Sequence, residues 1–169
     1  MIKSIVSSLV SIFSIIVIAL MLVIGLAQPA IAQDNSVNYT YSEIHDQDLS
    51  NLDLKGASFA AADVRHSNFS GSDLSKTILT KAAFINSDLS GVDLTDSFMD
   101  RVAFENCDLT NAVLKNIVAT STSFEGTDIK GADFSDAILD RYQTYLLCQR
   151  AEGINSTTGI ETRESLLCK

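Results

Sequence analysis

The sequence predicts a repeat architecture built from a five-residue unit, and three observations predict it. A large apolar residue recurs at every fifth position from Ile44, through Leu49, Leu54, Phe59 and Val64, to Leu139, with no slip in register; only Ala119 in that series is small. Two residues before each centre stands a mostly small residue, as at Ala57, Ser67, Ser87, Ala112 and Ala132. Between the two lies, very often, an Asp or Asn, as at Asp48, Asn68, Asp73, Asp93 and Asp133. A period of five matches neither the 3.6-residue helical spacing nor the two-residue alternation of a strand, so one repeating unit stacked on itself is the consistent reading.

This pattern resembles the pentapeptide-repeat family, whose unit is commonly Ala-Asp-Leu-X-X. Matching blocks are Ala57-Ser58-Phe59, Ser72-Asp73-Leu74, Ser87-Asp88-Leu89, Val92-Asp93-Leu94 and Ala132-Asp133-Phe134. The resemblance implies an all-β fold, a right-handed quadrilateral β-helix in which four units make a twenty-residue coil and the twenty centres make about five coils. In that geometry the centre and the small residue point inward and the other three outward. Two residues after each centre, Gly56, Gly71, Gly91, Gly126 and Gly131 alternate with Asn51, Asn86, Asn106, Asn111 and Asn116, which suits corners that need positive φ.

The chain divides as 1–32, 33–43, 44–141 and 142–169. Residues 1–32 begin with one cation, Lys3, run through an apolar stretch from Ile12 to Leu26 and close on Pro29-Ala30-Ile31-Ala32, which reads as a secretory signal peptide cleaved before Gln33. The other reading is an uncleaved membrane anchor, the only membrane contact the sequence suggests. Residues 33–43 are short and polar and are expected to be disordered or to lie loosely on the first coil, with Tyr39 and Tyr41 helping to cover its end.

Twelve Lys and Arg against 21 Asp and Glu give a net charge of −9, and losing Lys3 with the signal brings it to about −10. Such a chain repels nucleic acid and anionic lipid. No phosphate-binding glycine loop, metal-ligand spacing or catalytic triad is present, so no catalytic, cofactor or metal residues are assigned. His45 and His66 read as solvated side chains. Cys107 occupies a small inward position and reads as a buried, inert thiol, whereas Cys148 and Cys168 lie beyond the repeat.

The period breaks after Leu139. Residues 140–152 read as a helix capped by Asp140 or Thr144, carrying Tyr142, Tyr145, Leu146 and Cys148 on an apolar flank and ending at Gly153. A loop follows to Gly159, then a short helix over 161–167 capped by Thr162. The run Cys148-Gln149-Arg150-Ala151, Gly153, Asn155, Thr158-Gly159, Thr162-Arg163, Ser165-Leu166 and Cys168 is similar to the C-terminal cap of thylakoid-lumen pentapeptide-repeat proteins of cyanobacteria and chloroplasts. Ser156 replaces the usual proline there, and Leu167 stands where glycine is common. In those relatives the cap is helical and its two cysteines form a disulfide, which implies a Cys148–Cys168 bond.

Wrapping the sequence at twenty residues produces outward columns. Asp48, Asn68, Asp88, Asp108 and Asp128 form one and Asp53, Asp73, Asp93, Val113 and Asp133 another; stacked about 4.8 Å apart, they are candidates for cation binding or, more simply, for bonding nearby backbone. A third column departs from the pattern. It reads Ser58, Ile78, Phe98, Val118 and Ile138, an apolar stripe that a soluble monomer normally avoids. Ile78, Phe98, Val118 and Ile138 are therefore the candidate partner-binding residues, for another protein or a homodimer, unless one of the chain's own ends covers them. The function expected is a non-enzymatic structural or interaction module in the thylakoid lumen or periplasm. The alternative is a DNA-mimic that occupies a topoisomerase, which export and a short rod both disfavour.

Overall fold

The computed structural model describes residues 37–169, so the expected signal peptide over 1–32 lies outside the described residues. Four strands, β1 (Glu43–His45), β2 (Asp63–Arg65), β3 (Ala83–Ile85) and β4 (Ala103–Glu105), pair in parallel in that order, with Ile44 opposite Val64, Val64 opposite Phe84, and Phe84 opposite Phe104. On another side β5 (Val118–Ala119) pairs with β6 (Ile138–Leu139) in the same manner. Isolated parallel bridges such as Asp48 to Asn68, Asp73 to Asp93 and Phe98 to Val118 keep the same offset. Each turn of the chain therefore uses twenty residues, and five-residue sides give it four faces.

The corners explain why the strands are so short. From Tyr41 to Asp136 every fifth residue has positive φ, between 50° and 70°. Gly and Asn adopt this conformation at least cost, but Lys76, Lys81, Arg101 and Ser121 adopt it too, so the repeat imposes the corner on whatever residue falls there. A left-handed residue at every fifth position cuts a strand off after two or three residues.

Inside, the centres stack on themselves. Phe84 lies 5.3 Å from Phe104 and Phe104 lies 5.4 Å from Phe124, all three nearly coplanar in orientation and buried. The small inward residues do more than fill space, because the hydroxyls of Ser67, Ser72, Ser97 and Thr127 donate to the carbonyls of Ile44, Leu49, Leu74 and Phe104 in the preceding coil. Buried carbonyl groups are thereby given partners where apolar packing alone would strand them. Cys107 occupies the same kind of position, its thiol donating to the Phe84 carbonyl at 3.2 Å, and burial pushes its pKa up.

The ladder begins one unit earlier than Ile44. Asn38 bridges to Ser58, the Tyr39 amide donates to the Ser58 carbonyl, and the Tyr39 ring stacks on Phe59 at 4.9 Å. Tyr39 is thus a centre in its own right and not a loose cover, and the expectation for 33–43 is corrected from Asn38 onward. A tyrosine flanked by Asn38 and Thr40 lacks the apolar-centre signature, yet a ring over Phe59 still buries most of its carbon surface.

After the last coil come α1 (Arg141–Cys148) and α2 (Thr162–Ser165). The first helix stops at Cys148 and not at Glu152; Asp140 stands at its N-cap as expected but makes no side-chain capping bond, its carboxylate instead accepting the Ser121 amide at 2.6 Å and holding the helix start to the coil below. Leu147 is its buried residue, while Tyr142 and Tyr145, expected on the apolar flank, are exposed. The N-cap of α2 is Glu161, and Thr162 instead lies buried in the first turn. Leu147, Ala151 and Leu166 join the core cluster of the coils.

Between the helices, residues 153–160 lie against the side of the coils. The Asn155 amide donates to the carbonyls of Asn111, Ala112 and Gly131, and its own oxygen accepts the amides of Thr157 and Thr158. Cys148 and Cys168 are joined by a disulfide with Cα atoms 5.6 Å apart, which ties the end of α1 to the chain terminus.

Candidate protein-interaction face

The acidic columns and the apolar stripe occupy equivalent positions on different faces, so what each side chain does there can be compared directly. Asp48, Asp73, Asp88, Asp93, Asp108 and Asp128 each accept the backbone amide two residues on, at 2.7 to 3.1 Å. Asn68 does the same for Ser70. The column residue is thus a local clamp on the turn that follows it. Ser50 holds the Asp48 carboxyl below its ordinary pKa, as such a clamp requires. Among the described residues no group of three His, Cys, Asp or Glu side chains is placed to hold a metal ion. His45 lies 4.0 Å from the Asp63 carboxylate and His66 faces the Asn86 amide, both exposed and without a nucleophile beside them.

Ile78, Phe98, Val118 and Ile138 cannot make that clamp. They stack in one column by the bridges from Ile78 to Phe98, Phe98 to Val118 and Val118 to Ile138. Ile78 is 48%, Phe98 45% and Ile138 57% exposed, and Val118 is half-buried. Ser58, the first member, is polar and bonds Thr40. No part of the described chain covers the stripe, so the sequence reading of four stacked outward apolar residues is what the coil presents.

The rim of this face is charged on both sides. One corner carries Lys76, Asp96, Asn116 and Asp136; the other carries Lys81, Arg101 and Ser121 and is continued in sequence register by Arg141, the first residue of α1. Between stripe and second corner stand Thr80, Asp100, Thr120 and Asp140. Asp100 accepts from the Thr120 hydroxyl at 2.8 Å and pairs with Arg101 at 2.6 Å; these contacts hold its carboxyl below the usual range. Four cations and four carboxylates make the face neutral, whereas the chain as a whole carries −9. The surplus acid lies on the other sides.

Comparison with known proteins places this arrangement. The model for pentapeptide repeats, eight copies, matches residues 45–75, and that for the pentapeptide repeat region matches residues 65–134. A solved pentapeptide repeat protein from the Arabidopsis thaliana thylakoid lumen is 36% identical, with 73% of this chain and 89% of that chain covered at a TM-score of 0.51. The chain belongs to the pentapeptide-repeat family. A pentapeptide repeat protein from Nostoc PCC 7120 shares the fold at 22% identity, with 61% of this chain and 84% of that one covered and a TM-score of 0.51. Thylakoid lumenal protein TL20.3 of Arabidopsis thaliana is 54% identical over 37 residues, a match spanning 22% of this pentapeptide-repeat protein and 13% of that one.

Proposed function

We propose that this pentapeptide-repeat protein is a non-enzymatic interaction module exported to the thylakoid lumen or periplasm, and that Ile78, Phe98, Val118 and Ile138 form its contact face. The single observation that carries the reading is the exchange of a turn-clamping Asp for a large, solvent-facing apolar side chain in successive coils of one face. That exchange gives up hydrogen bonds the coil uses elsewhere and leaves apolar surface in water, so nothing in the coil's own stability accounts for it. The lumenal setting of the Arabidopsis relatives supports the location, together with the signal-like segment before Gln33. The right-handed sense of the coil, its count of about five turns and the role of α1 and α2 as an end cap belong to the same reading. Among the described residues no helix is long and apolar enough to cross a membrane.

The test is site-specific photo-cross-linking in the host, with a probe amino acid at position 98 and, as control, at position 125 on a neighbouring face. A protein adduct from position 98 alone is the expected result. Equal labelling from both positions, or none from position 98, removes the stripe as a contact face.

A further inference from the structure

The two corners that bound the stripe differ in charge along the same turns of the coil. On the Phe98 turn Asp96 stands on one side and Arg101 on the other; on the Ile138 turn Asp136 stands on the first side and Arg141, the first residue of α1, follows the stripe three residues after Ile138 as Arg101 follows Phe98. Among the described residues Asp136 and Arg141 form no ion pair, and Asp96 has only the Asn116 amide at 3.3 Å. A surface acidic on one edge and basic on the other at those two turns, and apolar between them, is complementary to itself there when one copy is rotated by half a turn beside another with the coil axes parallel.

We infer that a second copy of this chain docks on the stripe about a two-fold axis parallel to the coil axis. Each Asp96 then meets the partner's Arg101 and each Asp136 meets the partner's Arg141, with the Phe98 and Ile138 side chains buried between. Arg101 retains donors for this contact, since its Nε and one terminal nitrogen serve Asp100. Neutrality matters here, because two copies that are each strongly acidic approach best through a face that holds no surplus acid. The stripe spans three inter-coil steps, about 14 Å, so the contact falls short of the roughly 1,000 Å² expected of a permanent dimer. The pair therefore forms weakly, in a concentration-dependent way. One turn is mismatched: Lys76 faces the partner's Lys81.

This inference rests on the stripe being a contact face and adds the identity of the occupant. Sedimentation equilibrium of protein purified from the host's export compartment, at concentrations up to about 1 mM, tests it through a charge exchange. Asp96→Arg alone and Arg101→Asp alone should each weaken self-association. An equimolar mixture of the two variants should restore it, because the cation introduced at position 96 of one then meets the carboxylate introduced at position 101 of the other. Lys76→Glu should tighten association by roughly tenfold by turning a repulsive contact into a pair. Circular dichroism checks that each variant is folded, and the Lys76→Glu result stands independently if either of the others is not. A monomeric wild type across the range, or variants that associate as the wild type does without restoration on mixing, overturns the inference. The mass of the position-98 adduct separates the two readings. A product of twice the chain mass supports self-pairing, a product of other mass alone overturns it while leaving the contact face standing, and no product ends both.

Discussion

The backbone of Gly153 lies so close to Gly131 that a Cβ on Gly153 would stand 2.9 Å from the Gly131 amide nitrogen. Both glycines have positive φ, 85° and 70°, and the Gly131 amide donates to the Glu152 carbonyl at 2.8 Å. This contact seats the 153–160 segment against the side of the coils, and Asn155 then fixes it, the two N–H groups of its side-chain nitrogen reaching three carbonyls with one N–H shared. Gly153→Ala should therefore lift the segment at a cost of about 2 to 3 kcal/mol, from clash and left-handed strain together. Gly91→Ala is the control, because its φ is also positive but nothing lies within 4 Å; it should cost only about 1 kcal/mol. Hydrogen exchange at the Thr157 and Thr158 amides, with thermal melting, separates the two.

Cys107 acts as a serine in sulfur form. Ser67 and Thr127 in the same column donate to the preceding coil as its thiol does. Cys107→Ser should keep that bond and change stability by less than about 1 kcal/mol, whereas Cys107→Val leaves the Phe84 carbonyl short of a partner and should cost about 1 to 2 kcal/mol. Because burial raises the pKa, the wild-type thiol should resist alkylation at pH 8 until denaturant unfolds the coil.

Asp133 is the column carboxylate that the 153–160 segment covers, at 1% exposure. Burial disfavours its charge, but the Ser135 hydroxyl and amide and the Thr158 hydroxyl outweigh that and hold its pKa below the usual value. A lowered folded pKa contributes stability that is full above the unfolded value of about 3.9 and is lost as pH falls through the folded value. Protection factors in residues 153–160, taken relative to the intrinsic exchange rate at each pH, should accordingly fall as pH drops below about 4. Asp133→Asn should loosen the segment somewhat at pH 7 and remove that step, since Asn still accepts the turn amide as Asn68 does.

The coil was legible in the sequence because its constraint is periodic: inward positions must be apolar or small, and corners must tolerate positive φ. The stripe was legible for the same reason, once twenty-residue wrapping brought Phe98 beside Ile78 and Val118. What the period could not carry lay elsewhere. Tyr39 was hidden among polar neighbours, although its ring is an ordinary centre. The seating of Gly153 on Gly131 and the reach of Asn155 to the Asn111 carbonyl cross 22 and 44 residues with no repeating signature. The column carboxylates left two roles open, and only the amide geometry shows that they clamp turns.

Phe98 and Leu94 differ by four residues and by the side of the coil they face. Leu94 is fully buried on the axis, while Phe98 is 45% exposed in the outward column, next to the buried Met99. Leu94→Asp strands a charge among apolar centres and should cost several kcal/mol, enough to unfold a chain of ordinary stability. Phe98→Asp introduces the residue type that this position carries on other faces, where it accepts the amide two residues on. It should therefore fold, retain the circular dichroism of the wild type and hold its melting temperature within a few degrees, while adduct formation and self-association fall. If Phe98→Asp melts as early as Leu94→Asp, the phenylalanine belongs to the core and the face is not available to a partner.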